Sequence, residues 1–327
     1  MINPIVDFII SVLVYPGMIF TFIIALLTQW YYRKAYARMQ NRVGPRFVGP
    51  RGILQPLADF LKLLTKEDIT TIVAREKAPI LFLSLGIGAI ITILLMLPFS
   101  IFPIRAPYDI MLCIYLALWA TLALALLGLL TPNPFSIVGA SRLLSLVFVY
   151  EPLFVASLLV PVILASRLYN ASYSIYLTSL YSWRLWWEPL AVIPLALGLF
   201  SIILTLQCKL MLKPFDIPEA ETEIVAGFFT EYSGPKLAYI ITLHDVEMVV
   251  YTFLIVFLFL GGPAPFPLYS IGGVLMIAIK YLVVVTILTL IKAATARYRI
   301  EQALSFMWKY VAPPAIIAVV LAVILPI

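Results

Sequence analysis

Residues 79–102 read PILFLSLGIGAIITILLMLPFSIF, an uninterrupted apolar run without a single charged side chain, flanked by Lys77 and Arg105. A bilayer core about 30 Å thick is crossed by about 20 helical residues, so this run predicts a transmembrane helix. Its apolar positions are continuous, whereas barrel strands alternate in stretches of about 10 residues. Runs of the same kind recur at approximately 8–30, 110–131, 143–166, 190–208, 237–260, 270–291 and 310–327. Glu151 and Pro152 interrupt the run at 143–166, and the last run is short and headed by prolines. The expected fold is an all-α integral membrane protein, a bundle of about eight transmembrane helices forming one membrane domain over residues 1–327.

Composition agrees. Of 327 residues, 63% are apolar and 12% charged, about half the ~25% charge of a soluble domain. No basic residue precedes the first apolar run, so no cleavable signal peptide is evident. The expected location is a prokaryotic plasma membrane, with lipid as the solvent for the runs. Scarce Asn and frequent Ile, Tyr and Pro point to a thermophilic source.

The residue inventory restricts the chemistry. His244 is the one histidine, and Cys113 and Cys208 are the two cysteines, each inside an apolar run. Iron–sulfur clusters take about four thiolates, and haem needs axial ligands. The cysteines have no metal-ligand spacing, and no GxGxxG or P-loop is present. The chain is therefore expected to bind no metal, redox centre or nucleotide of its own. Its net charge of +6 has a topological explanation, so nucleic acid is not an expected partner.

That explanation lies in the connections at about 31–78, 132–142, 209–236 and 292–309. They hold Arg33, Lys34, Arg38, Arg42, Arg46, Arg51, Lys62, Lys66, Arg75, Lys77, Arg142, Lys209, Lys213, Lys236, Lys292, Arg297, Arg299 and Lys309, while the other connections hold Arg105, Arg167 and Arg184. Positive residues mark the cytoplasmic side, so both termini are expected outside. The Tyr- and Trp-rich segment 167–189 is expected along the outer surface. No internal repeat of the inverted type found in many transporters is visible.

Three features exceed what an anchor needs. The first is the connection at 33–78, where Gly44, Pro45, Gly49, Pro50, Gly52 and Pro56 crowd before LQPLADFLKLLTKE. Glycine and proline fix turns, and Pro56 suits the first turn of a helix. Leu57, Phe60, Leu61 and Leu64 fall on one face of that helix. It reads either as a surface helix on the headgroups or as the wall of a docking site or cavity.

The second is KLMLKPFDIPEAETEIVAGFFTEYSGPK at 209–236, with Asp216, Glu219, Glu221, Glu223 and Glu231. A run of acids is ordinarily a solvated loop. Here Ile217, Ile224, Val225, Phe228 and Phe229 interleave with them and must pack, which carries carboxylates into a partly buried setting. Burial and neighbouring acids both raise carboxylate pKa values, a property suited to proton uptake.

The third is the set of ionisable groups inside the runs: Lys280, Glu151, and the trio His244, Asp245 and Glu247. At 1.5 Å per residue, Glu247 and Lys280 each lie about 16 Å from their cytoplasmic ends and Glu151 about 13 Å. A mid-bilayer Lys costs about 2.5–3.5 kcal/mol on insertion scales, and Lys280 is deep for snorkelling. His244 and Glu247, three apart, share a face. A static Lys–acid pair holding helices together competes with a proton path. Convergence of these groups in depth favours the path.

NRVGPRFVGPRGILQPLADFLKLLTKED at 41–68 and PFDIPEAETEIVAGFFTEYSG at 214–234 closely resemble the two hallmark loops of a known family of respiratory membrane proteins. This is the family of NADH dehydrogenase subunit 1, also called the H subunit, of respiratory complex I. It has relatives in archaeal deazaflavin-dependent dehydrogenases, membrane-bound hydrogenases and sulfur reductases. GASRLLSLVFVYE at 139–151 and ARYRIEQALSFMWK at 296–309 resemble two further loops of that family more loosely.

The resemblance implies a connector between a cytoplasmic redox arm and an ion-pumping membrane arm. Its partners would be the cluster-bearing small subunit, the large catalytic subunit, and other membrane-arm and antiporter-like subunits. Iron–sulfur clusters would reside in the partners, and a quinone or other lipophilic acceptor would sit at the interface. By motif, Arg42, Arg46, Gln55, Asp59 and Lys62, with Arg142, Arg297 and Arg299, would line the chamber or dock the arm. Asp216, Glu219, Glu221, Glu223 and Glu231 would form an acidic funnel leading to Glu151. One departure is that His244 stands where complex I members carry an acid, with Asp245 and Glu247 beyond it and Lys280 added. A quinone-free relative of the hydrogenase or sulfur-reductase type is therefore an alternative, as is a standalone secondary ion transporter.

Overall fold

The computed structural model describes residues 4–69 and 77–325. Among these it is all-helical, with eight helices long and apolar enough to cross a membrane. The first expected run is in fact two pieces, α1 (Pro4–Leu13) and α2 (Met18–Met39). Pro16 and Gly17 lie at the break, where a proline ring would clash with the carbonyl four residues earlier. Helix α2 runs well past the expected end at residue 30. The amphipathic α3 (Gln55–Thr65) follows, with Pro56 in its first turn as expected.

The next helices are α4 (Lys77–Leu95), α5 (Asp109–Leu129) and α6 (Pro134–Tyr169). Helix α6 corrects the expectation of an interruption at Glu151: it continues through both Pro152 and Pro161. Prolines are tolerated in membrane helices when neighbours supply the lost packing and polar contacts, and α6 is packed against α5 and against two later helices, α8 (Pro189–Lys209) and α13 (Ala312–Ile324). The aromatic segment forms α7 (Ile175–Leu185), tucked against α6 and the later helix α10 (Gly234–Leu258), with Ile175, Thr178, Ser182 and Leu185 buried.

After α8 (Pro189–Lys209) the acidic connection folds into the short α9 (Glu221–Ile224) and a tight turn at Gly227–Phe229. Helix α10 (Gly234–Leu258) is apolar around most of its circumference and occupies the centre, touching α2, α3, α4, α7 and α11 (Ile271–Ala294). The last expected run begins earlier than residue 310. Helix α12 (Ile300–Phe306) passes through a widened turn at Met307–Val311 into α13 (Ala312–Ile324). Pro313 and Pro314 leave the carbonyls of Lys309 and Tyr310 without their helical donors, which accounts for the widening.

The acidic connection is clasped by close backbone contact. A Cβ on Gly139 of α6 would stand 2.7 Å from the Phe228 nitrogen, and one on Gly128 of α5 2.8 Å from Phe228 Cβ. Gly227 has φ +54° and its missing Cβ would overlap the Pro218 carbonyl, so only glycine fits. Ile217, Ala220, Ile224 and Phe228 are buried as a result. The connection is a packed element, in keeping with the apolar residues threaded through it.

Candidate functional site

The site is an irregular column of ionisable groups running inward from the basic end of the bundle. At its mouth, Arg142 of α6 donates to Glu223 at 2.6 Å. Arg297 places Nη2 at 2.7 and 2.8 Å from the two carboxylate oxygens of Asp216. Burial pushes the Asp216 carboxyl above its ordinary range, and Arg297 opposes that push. Asn133, the N-cap of α6, donates to Glu231. Glu221 is exposed.

Behind these pairs lies a cavity of about 240 Å³ whose walls include Asp216, Glu219, His244, Asp245 and Lys292. His244 Nε2 stands 3.3 Å from Glu219 Oε1, close enough for an ion pair, though neither atom makes a hydrogen bond. Asp245 also borders a second, smaller cavity of about 40 Å³ between α2, α3 and α10. There Asp59 accepts from Arg33 at 2.6 Å and from Gln55 at 2.9 Å. A void of that size admits a water molecule and is too small for an aromatic ring.

Deeper still, Glu247 is 1% exposed, one helical turn inward from His244 on α10. Glu151 of α6 is buried and ion-paired with Lys209 at the end of α8. Lys209 also donates to Thr121 Oγ1 at 3.2 Å and to the Ala117 carbonyl at 3.4 Å. The site thus draws on α2, α3, α5, α6, α8, α10, α11 and the acidic connection.

The geometry sorts the expected residues. Glu151, Asp216, Glu219, Glu223, His244, Asp245 and Glu247 gather along the column with Arg142 and Arg297, and Glu231 sits at its edge. Arg42, Arg46, Lys62 and Arg299 lie exposed on the basic surface, with Arg42 beside Gln40.

Lys280 requires correction, because it does not converge with the acids. Its ammonium reaches the other way and donates to the carbonyls of Leu260, Gly262 and Ala264 at 2.7, 2.9 and 2.8 Å, 4.9 Å from the Trp183 ring centre. The depth estimate located its Cα, but a four-carbon stem carries the charge to the turn after α10.

Two lysines that sequence places on the basic surface are in fact interior. Lys209 is 1% exposed, and Lys236 is 4% exposed and pairs with Asp68 at 3.0 Å. Arg33 and Lys292 likewise do more than mark topology, since each borders one of the two cavities. The signal for Lys209 is its position directly after an apolar run with no turn residue between.

Among the described residues, eight apolar helices of membrane-spanning length with ionisable groups buried between them define a multi-pass protein of the cell membrane. The family model described as NADH dehydrogenase matches residues 11–323, and the chain belongs to that family. It is 32% identical over 329 residues to the H subunit of the NADH-quinone oxidoreductase of Wolinella succinogenes, covering 97% of both chains. Against the corresponding H subunit of Thermomicrobium roseum it is 33% identical over 314 residues, covering 88% of this chain and 87% of the relative. Among solved structures, a chain of the membrane-bound sulfane sulfur reductase, an archaeal respiratory membrane complex, superposes with a TM-score of 0.79 at 24% identity. That superposition covers 97% of this chain and 99% of the other, and it establishes the likeness of fold.

Proposed function

We propose that this chain is a membrane-arm subunit of a complex I-like respiratory assembly. In this reading it anchors a peripheral redox arm on its basic, cytoplasmic face and couples electron transfer there to proton or ion movement. The observation that carries the reading is the column itself. Acids and cations from the acidic connection, α10 and α11 line a cavity near the basic end, and three ionisable groups, Glu247, Glu151 and Lys209, are buried beyond it. Burying several charges costs several kcal/mol each unless they are paired, and such groups inside a membrane mark ion pathways. Electrons would move in cluster-bearing partners, and this chain's residues would answer by changing charge.

A lipophilic acceptor such as a quinone belongs to the reading through the name of the relatives. The residues here supply one wall for it, Arg33, Gln55 and Asp59 on α2 and α3. The remaining walls would come from the small and large peripheral subunits, because the void beside Arg33 and Asp59 is by itself too small for a ring. Docking of those subunits would use the exposed Arg42, Arg46, Lys62 and Arg299.

The test is Asp245→Asn in the assembled complex, reconstituted in sealed vesicles. Asp245 borders both cavities, so the variant should keep electron transfer to an artificial acceptor and lose most ion uptake. Unchanged ion movement per electron in a fully assembled variant would refute the coupling role. Transport by the purified chain alone would favour a standalone transporter instead.

A further inference from the structure

Lys209 is enclosed on all sides. Besides Glu151, Thr121 and Ala117 it faces the rings of Tyr150, Phe154 and Tyr251, with centres at 5.5, 5.0 and 5.2 Å. The Ala117 carbonyl is shared, since the Tyr251 hydroxyl donates to it at 3.2 Å. Residue 247 lies one turn before Tyr251 on the same face of α10. Glu247 is therefore adjacent to this enclosure, and it lies within electrostatic reach of both Lys209 and Glu151. Its Oε1 is buried without a hydrogen-bond partner, as is the Tyr150 hydroxyl beside Glu151.

One buried cation thus confronts two buried carboxyl groups and engages one of them. An unpaired buried carboxylate is strongly disfavoured, so with Lys209 charged the two carboxyl groups hold a single proton between them. The other titratable side chains around them are Tyr150, Tyr251, Cys113 and Cys208, which are ordinarily neutral. His244 stands one turn nearer the cavity and is paired with Glu219.

We propose that Lys209 is an exchangeable counter-ion that pairs with either Glu151 or Glu247, the proton residing on whichever carboxyl it leaves. When the ammonium swings from Glu151 to Glu247, one proton passes from the Glu247 carboxyl to the Glu151 carboxylate. The trio stays neutral overall, and no proton is gained or lost until His244 or the cavity supplies or removes one. A flexible stem ending in a compact charge with three donors suits this exchange better than a rigid guanidinium. The use of this exchange in ion coupling rests on the function proposed above, whereas the exchange itself rests on the geometry.

Infrared spectroscopy of the full chain in lipid nanodiscs tests it without electron transfer. The carbonyl stretch of a protonated carboxyl group is compared between wild type and variants. Glu247→Gln should lose one buried carboxylic-acid band. Glu151→Gln should lose the same band, because Lys209 then moves to Glu247 and ionises it. Lys209→Met should about double the band, both carboxyls then being neutral. Persistence of the Glu247 band in Glu151→Gln would overturn the proposal, since Lys209 would then be a fixed partner of Glu151.

Thermal unfolding supplies a second reading. Each single Gln variant should remain folded, and Glu151→Gln/Glu247→Gln should not. Destabilisation of Glu151→Gln as severe as that of the double variant would equally overturn the exchange. The expected band pattern, found together with normal ion coupling in the Asp245→Asn complex, would uphold the exchange and sink the function proposed for the column.

Discussion

Arg297 holds Asp216 through a single guanidinium nitrogen placed at 2.7 and 2.8 Å from its two carboxylate oxygens. This joins the segment after α11 to the acidic connection after α8. The same arginine reaches Thr222 at 3.3 Å, and Tyr298 donates its backbone N–H to the Pro214 carbonyl at 2.9 Å. Two connections distant in sequence are thereby fastened at the mouth of the column.

Arg297→Ala leaves a largely buried carboxylate without its partner. The expected loss is about 2 kcal/mol, between the ~1 kcal/mol of an exposed pair and the 3–5 kcal/mol of a fully buried one. A melting temperature measured on the purified chain checks it.

Asp216 also predicts a pH dependence. Burial raises its pKa above the ordinary 3.8, so the folded chain binds this proton more tightly than the unfolded chain does. The contribution is therefore fully present below the ordinary value and is lost as pH rises through the raised one. Asp216→Asn has no such proton, so its melting temperature relative to wild type should shift in the variant's favour across that acidic window and be flat above it. A constant difference across the window would contradict the assignment.

Lys280→Met removes the donor to three carbonyls at once. An unsatisfied buried acceptor costs about 1–3 kcal/mol, and these three are only partly buried, so the chain should be destabilised by about that much in all. Ion movement per electron in the complex that does assemble should stay at the wild-type value, because the ammonium lies outside the column. A selective coupling defect at normal stability would return Lys280 to the ion path.

Gly139→Ala forces a Cβ against the Phe228 nitrogen. Overpacking of this kind costs about 1–3 kcal/mol, and here it pries the acidic connection from α6. Limited proteolysis within residues 216–231 should accelerate, while cleavage elsewhere stays unchanged.

Phe47 is 94% exposed at the tip of the glycine-rich turn, between Arg46 and the turn at Pro50–Gly52. Phe47→Asp should leave the melting temperature of the isolated chain within ~0.5 kcal/mol equivalent and lower the yield of peripheral subunits that co-purify with it. Unchanged co-purification would remove this tip from the docking surface.

Much of the fold is legible because lipid demands long apolar runs, and runs such as 79–102 are visible without any pattern analysis. The helix ends are less legible. Tyr31–Met39 continues α2 although it is polar, since helical hydrogen bonding does not stop where hydrocarbon does. Ile217, Ile224 and Phe228 announce the packing of the acidic connection, and all three are buried. Side-chain direction is the main gap. Lys280 and Lys209 are both lysines near apolar runs, yet one leaves the column and the other completes it. Only the neighbours decide, three carbonyls in one case and Glu151 in the other, and neither neighbour is near in sequence to the residue it holds.

Helix α6 has 36 residues, about 54 Å at 1.5 Å per residue against a hydrocarbon thickness of about 30 Å. It is a beam that outreaches the bilayer, gripped by Glu223 through Arg142 toward one end. Pro152 deprives the Phe148 carbonyl of its donor, so the turn that carries Glu151 lacks one of its helical hydrogen bonds. The acidic connection, through Glu223 and Arg142, thus grips the same helix that carries Glu151 nine residues further on.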